Sequence, residues 1–124
     1  MIAEANQIEV SFYDDSTAEA ELIAYDGTTG IAVLSVQKSQ VSEDTQNQVA
    51  AATLGSSSAL TQGTIVIAIG SPLGEPFSVL TGNVTSSSHE VTATDANYKV
   101  ISTDINAGSG GSGALINLTV RSWD

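Results

Sequence analysis

Few side chains in this 124-residue sequence are suited to chemistry. There is no cysteine, which excludes disulfides, thiolate nucleophiles and cysteine-ligated metals. The one histidine, His89, lies in the polar stretch 85–90, where we expect an exposed loop position. Two serine hydroxyls, Ser109 and Ser112, lie in the glycine-rich segment 108–113. A hydroxyl attacks an amide at a useful rate only when a base accepts its proton, so any chemistry of this segment depends on its neighbours.

The glycine-rich segment also has a second interpretation. Alternating glycine and serine is typical of a flexible loop without a chemical role. The residues favour this interpretation at least as strongly as a catalytic role. The sequence contains no His and Asp at metal-ligand spacing, no phosphate-binding glycine loop and no dinucleotide fingerprint. We therefore expect neither a metal nor a nucleotide cofactor.

The charge balance limits the partners. Fourteen acidic residues against three basic ones give a formal net charge of -11. Nucleic acids and anionic membranes bind clustered Lys and Arg, so we expect no nucleic acid partner and no membrane contact by this segment. No apolar run approaches the roughly 18–20 residues of a membrane-spanning helix. The residues after Met1 lack the basic and apolar regions of a signal peptide.

Apolar and polar residues alternate along much of the chain. This alternation predicts a β-hairpin over residues 8–25, with turn residues at 13–16. A second turn follows from Asp26 to Gly30, and the apolar run 31–36 predicts a strand buried on both faces. The polar residues 37–48 have no sustained period and predict a connecting loop.

The second half of the sequence contains further short strand patterns. We predict strands at residues 64–69, 77–84, 98–102 and 114–118, separated by clusters of Gly, Ser, Asn and Asp. No segment longer than a turn or two predicts a helix. Many short strands at this spacing are typical of an all-β barrel or sandwich, and the length allows one domain or one and a fraction.

Four blocks of the sequence, in this order, resemble the protease domain of HtrA-type serine proteases. They are the hairpin at 8–25, with Asp14 and Asp15 where the family has Asp-Gly; Ile-Ala-Val-Leu at 31–34; Ala-Ile-Gly-Ser-Pro-Leu-Gly at 68–74; and Thr-Asp-Ile-Asn-Ala-Gly at 103–108, leading to Ala-Leu-Ile-Asn-Leu at 114–118. The resemblance implies an all-β fold of the chymotrypsin/trypsin-like antiparallel β-barrel class. Residues 1–48 would be a remnant of the first barrel with a linker, and residues 49–124 most of the second barrel without its last strands.

The resemblance also implies where a Ser-His-Asp triad would lie. The family histidine aligns just before Met1, and the family aspartate aligns with Gly30, while Asp26 is interpreted as a turn former. Ser112 matches the nucleophile position best, with the amides of Gly110 and Ser112 as the oxyanion hole, and Ser109 is the alternative. We therefore predict a member of this family that does not cleave peptides as given. The alternative is a pseudoprotease that acts as a peptide-binding or scaffolding module.

The last six residues, 119–124, differ from the family pattern. The codons ACG GTG AGG TCG TGG GAT would encode these six residues, and CTG would encode Leu118 before them. If the reading frame moves back by one base, the same nucleotides encode Asp-Gly-Glu-Val-Val-Gly. That peptide resembles the family sequence at this place. This predicts a reading-frame slip that truncates the second barrel. Barrels with open edges predict self-association, with a dimer formed by strand pairing or exchange. By resemblance, the expected partners are proteins or peptides, and the expected location is the cell envelope.

Overall fold

A computed structural model describes residues 2–71, 78–92, 97–106, 108 and 112–118. The chain divides into two compact units, with the boundary between Thr53 and Leu54. Seven strands account for most of the regular structure: β1 (Ile8–Ser11), β2 (Thr17–Asp26), β3 (Ile31–Val36), β4 (Ile65–Gly70), β5 (Ser78–Thr92), β6 (Asn97–Thr103) and β7 (Gly113–Asn117). One six-residue α-helix, α1 (Glu43–Gln48), and short 3-10 turns at Ile2–Glu4, Lys38–Gln40 and Ser57–Ala59 complete the described elements.

The first unit contains an antiparallel sheet in the order β1-β2-β3. Ile8 lies opposite Ala20, and Leu22 lies opposite Leu34, after which a bulge shifts the register. Alternation of small apolar residues with Glu19 and Glu21 along β2 buries one face and exposes the other. The predicted hairpin and the predicted bounds of β3 are confirmed.

The prediction that β3 is buried on both faces is wrong. Ile31 and Val33 are exposed, whereas the alternate residues Ala32, Leu34 and Val36 are half-buried. The cause is position, because β3 is an edge strand of a three-stranded antiparallel sheet, and such a sheet covers one face only. An apolar run therefore does not distinguish a buried central strand from an edge strand.

The prediction of a loop over residues 37–48 is wrong in part, because α1 forms there. The Ser42 hydroxyl caps this helix by accepting a hydrogen bond from the Thr45 amide at 3.2 Å. Glu43 and Asp44 lie in the first turn, where negatively charged carboxylates interact favourably with the positive end of the helix dipole. Thr45 is fully buried, and its hydroxyl donates to the Asp14 carboxylate at 2.5 Å, which fastens α1 to the β1–β2 turn.

Asp15 adopts a left-handed backbone conformation in that turn, with φ of 63°. A side chain at such a position is strained, and glycine is not. We predict that Asp15→Gly raises the free energy of unfolding by about 0.5 kcal/mol, measured by urea denaturation. Asp15→Ala is the control and should be destabilising, since alanine adopts a positive φ less readily than aspartate does. An unchanged midpoint for both variants would contradict the prediction.

The second unit contains an antiparallel sheet in the order β6-β5-β4-β7. Among the described residues of this unit, the buried side chains are Val66 of β4 and Val84 of β5, each 1% exposed. β4, β6 and β7 lie within a residue or two of the predicted strands. β5 begins near its predicted start but runs on to Thr92, through the polar residues 85–90. The part of the chain with assigned structure contains no helix long and apolar enough to cross a membrane.

Candidate active site

Ser112, the predicted nucleophile, precedes β7 and is exposed. The register places it at the end of β4, because Gly113 lies directly opposite Gly70 in the β4–β7 pair. Ser109 and Gly110 lie outside the described residues, so the oxyanion hole assigned to Gly110 and Ser112 stays a prediction. Among described residues, the Ser112 hydroxyl makes no hydrogen bond to another side chain.

Two glycines allow β4 and β7 to approach closely beside Ser112. A methyl group at Gly70 would lie 2.6 Å from the carbonyl oxygen of Ser112, and one at Gly113 would collide with the carbonyl oxygen of Ile69. Both obstacles are backbone atoms, so neither can rotate away. The glycine that follows the candidate serine is therefore required by the pairing of the strands, independently of any chemistry.

His89 lies in strand β5, opposite Val100 of β6. The loop predicted for this residue is wrong, although the predicted exposure is confirmed. Gly70, the neighbour of the candidate serine, pairs with Ser78 at the start of β5, whereas His89 is near the other end of that strand. The imidazole makes no hydrogen bond to Ser112 or to another side chain of the described ranges.

Asp26 forms a turn, as predicted. One carboxylate oxygen accepts from the Thr28 amide at 3.0 Å, and the other accepts from the Thr29 hydroxyl at 2.9 Å. These hydrogen bonds, that of Thr29 foremost, lower the pKa of Asp26. The Gly30 amide donates to the Asp26 carbonyl at 2.8 Å, and Gly30 has a φ of 73°. This left-handed φ favours glycine, although a Cβ at position 30 would meet no atom within 4 Å.

A second carboxylate with a structural role, not predicted from the sequence, is that of Asp104. It accepts from the Asn83 amide at 2.6 Å, while the Asp104 amide donates to the Asn83 carbonyl at 3.2 Å. The Asn83 amide is the main cause of the lowered pKa of Asp104. A methyl group at Gly82 would collide with the Asp104 carboxylate, so this contact requires glycine at position 82. The Gly-Asn dipeptide at 82–83 is therefore the feature of the sequence that could have indicated the contact.

Asp104 does not face the candidate serine. Asn83 pairs with Ile65 at the start of β4, whereas Ser112 lies beside Gly70 at its end, roughly 16 Å away along the strand. Asp104 therefore fastens the chain after β6 to β5. Within the described ranges, no group of three or more His, Cys, Asp and Glu side chains is placed to hold a metal ion.

The all-β fold with two antiparallel sheets is that of trypsin-like peptidases. The sequence family described as "Trypsin-like peptidase domain" matches residues 1–118. The chain therefore belongs to the trypsin-like peptidase domain family. The relatives are of HtrA type: the chain is 37% identical over 121 residues to "Serine protease Do-like HtrA" of Bacillus subtilis, which covers 91% of this chain and 25% of the relative.

A further relative comes from another bacterium. "Probable periplasmic serine endoprotease DegP-like" of Pseudomonas fulva is 34% identical over 119 residues, which covers 95% of this chain and 23% of the relative. The chain thus spans about a quarter of the length of these curated relatives. Their names describe serine proteases, and this chain matches one part of them.

Two solved structures have the same fold. One is "HtrA-type protease AlgW with decapeptide", with a TM-score of 0.64 and 28% identity, covering 93% of this chain and 33% of that one. The other is a serine-to-alanine variant of AlgW with a tripeptide, with a TM-score of 0.69 and 30% identity, covering 93% of this chain and 36% of that one. The predicted all-β, trypsin-like fold class and the HtrA-type resemblance are confirmed.

Proposed function

We propose that these 124 residues are part of an HtrA-type serine endopeptidase and do not hydrolyse peptide bonds on their own. The two units would be an incomplete first barrel and most of a second barrel, with the candidate nucleophile Ser112 in the second. Amide hydrolysis by a serine needs a base within hydrogen-bond reach and an acid to orient that base. The 124 residues supply one imidazole, that of His89.

The observation that supports this proposal is the position of His89. Its side chain is exposed in β5, near the end far from the Ser78–Gly70 pair beside the candidate serine. Asp26 and Asp104, which could orient a base, hold local structure with their carboxylate oxygens instead. A serine without a base keeps the weak nucleophilicity of an alcohol.

A fluorophosphonate probe tests the proposal directly. We expect no covalent labelling of the 124-residue chain, and hydrolysis of unfolded, dye-labelled casein at least about 10⁴-fold slower than with a complete triad. The full-length HtrA of Bacillus subtilis is the positive control. Ser112→Ala and Ser109→Ala variants identify any labelled residue. Labelling at Ser112 that the alanine variant abolishes would show that a base is present and would overturn the proposal.

The alternative function is peptide binding without hydrolysis. In its favour, the two solved structures named above are complexes with a peptide, and β6 is an edge strand of the described sheet, a position at which an extended chain can pair. Fluorescence anisotropy with a labelled extended decapeptide should saturate at one peptide per chain. A decapeptide N-methylated at every amide is the control, since it has no backbone N–H donor on either edge and cannot form a strand ladder. A flat titration with the unmodified peptide would exclude this alternative.

Two further proposals follow from family membership. The cell envelope is the proposed location, which the name of the periplasmic DegP-like relative supports. We also propose that the chain forms a dimer by strand pairing or exchange, because exposed sheet edges favour pairing with another strand.

A further inference from the structure

The turn between β2 and β3 contains the peptide bond of this sequence that is most open to a spontaneous covalent change. Asp26 is followed by Gly27, and no other Asp or Asn in the chain precedes a glycine. A backbone amide can attack the side-chain carboxyl carbon of the preceding aspartate, and glycine hinders this attack least because it has no Cβ. Both residues are exposed, so water and the reacting groups have access to each other.

The reaction consumes and returns one water molecule and needs no other reactant. The Gly27 nitrogen forms a bond to Cγ of the neutral Asp26 carboxyl group, whose hydroxyl leaves as water with the proton of that nitrogen. The product is a cyclic imide. Water then adds to one of the two imide carbonyl carbons and opens the ring, either back to aspartate or to isoaspartate, in which the main chain runs through Cγ. An ionised carboxylate reacts more slowly, because it has no hydroxyl to lose.

The hydrogen bonds of the turn oppose this reaction. One carboxylate oxygen of Asp26 accepts from the Thr28 amide at 3.0 Å, and the other accepts from the Thr29 hydroxyl at 2.9 Å. Whichever oxygen leaves as water must first lose its hydrogen bond. The same two bonds lower the pKa of Asp26, that of Thr29 foremost, so the neutral form that reacts is rarer in the folded turn than in an unfolded chain.

Isoaspartate at position 26 would also be incompatible with the turn. The main-chain carbonyl of Asp26 accepts from the Gly30 amide at 2.8 Å, and Asp26 pairs with Ile31 at the end of the β2–β3 ladder. In isoaspartate that carbonyl becomes a free carboxylate, and the main chain is longer by one methylene group. The reaction therefore requires that the turn opens, and its product prevents the turn from closing in the same way.

We propose that Asp26 is a site of isoaspartate formation, and that the Thr29 hydroxyl protects it from this reaction while the turn is folded. Turns open locally far more often than whole domains unfold. Isoaspartate at this position therefore accumulates with the time that the turn spends open.

Peptide mapping after incubation at mildly acidic pH tests the proposal. A glutamate-specific protease releases residues 22–43, in which Asp26 is the only Asp or Asn. The isoaspartyl form of this peptide has the same mass and separates from the aspartyl form by reversed-phase chromatography. We expect it to form in the folded 124-residue chain at least about tenfold more slowly than in the same chain in urea.

Variants of Thr29 test the protecting group. Thr29→Val keeps the shape and removes the hydroxyl, so it should raise the rate in the folded chain about threefold or more. Thr29→Ser is the matched control, because it keeps the hydroxyl and should leave the rate unchanged. In urea the three chains should react at the same rate, since the hydrogen bonds are then broken.

Two results would overturn the proposal. Equal rates in the folded chain and in urea would show that the turn gives no protection. A Thr29→Val chain that reacts no faster than the unaltered chain, while far-UV circular dichroism shows its strands intact, would show that the hydroxyl is not the protecting group. Neither result bears on hydrolysis, which the fluorophosphonate probe measures independently.

Discussion

Replacing Gly113 with alanine is expected to separate the start of β7 from β4 and to lower the free energy of unfolding by about 2–3 kcal/mol. The added methyl group would collide with the carbonyl oxygen of Ile69 and lie 2.9 Å from the Gly70 Cα. Both are backbone atoms of a paired strand, so relief requires that the two strands move apart. Such a movement breaks ladder hydrogen bonds between Gly70 and Gly113 and their neighbours.

Urea denaturation followed by circular dichroism measures this effect, and Gly55→Ala is the matched control. A methyl group at Gly55 meets no atom within 4 Å, and the residue does not have a positive φ. Alanine there should leave stability unchanged or raise it slightly, because it restricts the unfolded chain. Equal midpoints for Gly113→Ala and Gly55→Ala would show that β7 does not approach β4 as closely as the structure has it.

Gly113 also shows why a sequence motif and a structural requirement are easily confused. In the sequence this glycine completes a Gly-x-Ser-Gly pattern around Ser112, which resembles a nucleophile motif. In the fold the same glycine is needed for the β4–β7 contact, whether or not Ser112 reacts. Retention of the glycine is therefore no evidence of catalysis, and the test of catalysis must come from the base.

The strands that the sequence predicts most accurately are those with apolar runs between turn residues. The predicted strands 31–36 and 64–69 coincide with β3 and β4 to within a residue. Residue types also predicted the turn at Asp26, whose carboxylate accepts hydrogen bonds from the Thr28 amide and the Thr29 hydroxyl. Local chemistry decides these features, so the sequence contains the necessary information.

The features that the sequence did not predict depend on neighbours that are distant in the chain. The polar residues of β5 around His89 form a strand because β6 lies alongside and pairs with them, not because of their own alternation. The hydrogen bond from the Asn83 amide to the Asp104 carboxylate joins residues that are 21 positions apart, and the Gly-Asn dipeptide at 82–83 does not by itself reveal its partner. The helix α1 was missed for another reason: its capping serine, Ser42, was present in the sequence, but six residues are too few to show a helical period.

Replacing Thr45 with valine is expected to lower the free energy of unfolding by about 1–2 kcal/mol. Valine keeps the shape of threonine in this fully buried position but removes the hydroxyl that donates to Asp14 at 2.5 Å and contacts the Ser42 hydroxyl at 2.7 Å. Hydrogen bonds to charged groups are stronger than neutral ones. Water replaces part of the loss, because Asp14 is exposed.

Thr45→Ser is the control for the hydroxyl, since it keeps the donor and removes only a methyl group. If the hydrogen bond stabilises the fold, the free energy of unfolding of Thr45→Ser should depend on pH as in the unaltered chain. That of Thr45→Val should depend on pH less. The hydroxyls of Ser16 and then Thr45 lower the pKa of Asp14, so Asp14 stabilises the fold above the unfolded pKa of about 4 and loses this contribution as the pH falls through its folded pKa. In Thr45→Val one donor is missing, and the loss of stability on acidification should be smaller. Thermal unfolding from neutral to acidic pH measures this, and parallel curves for valine and threonine would show that the Thr45 hydroxyl does not stabilise the Asp14 carboxylate.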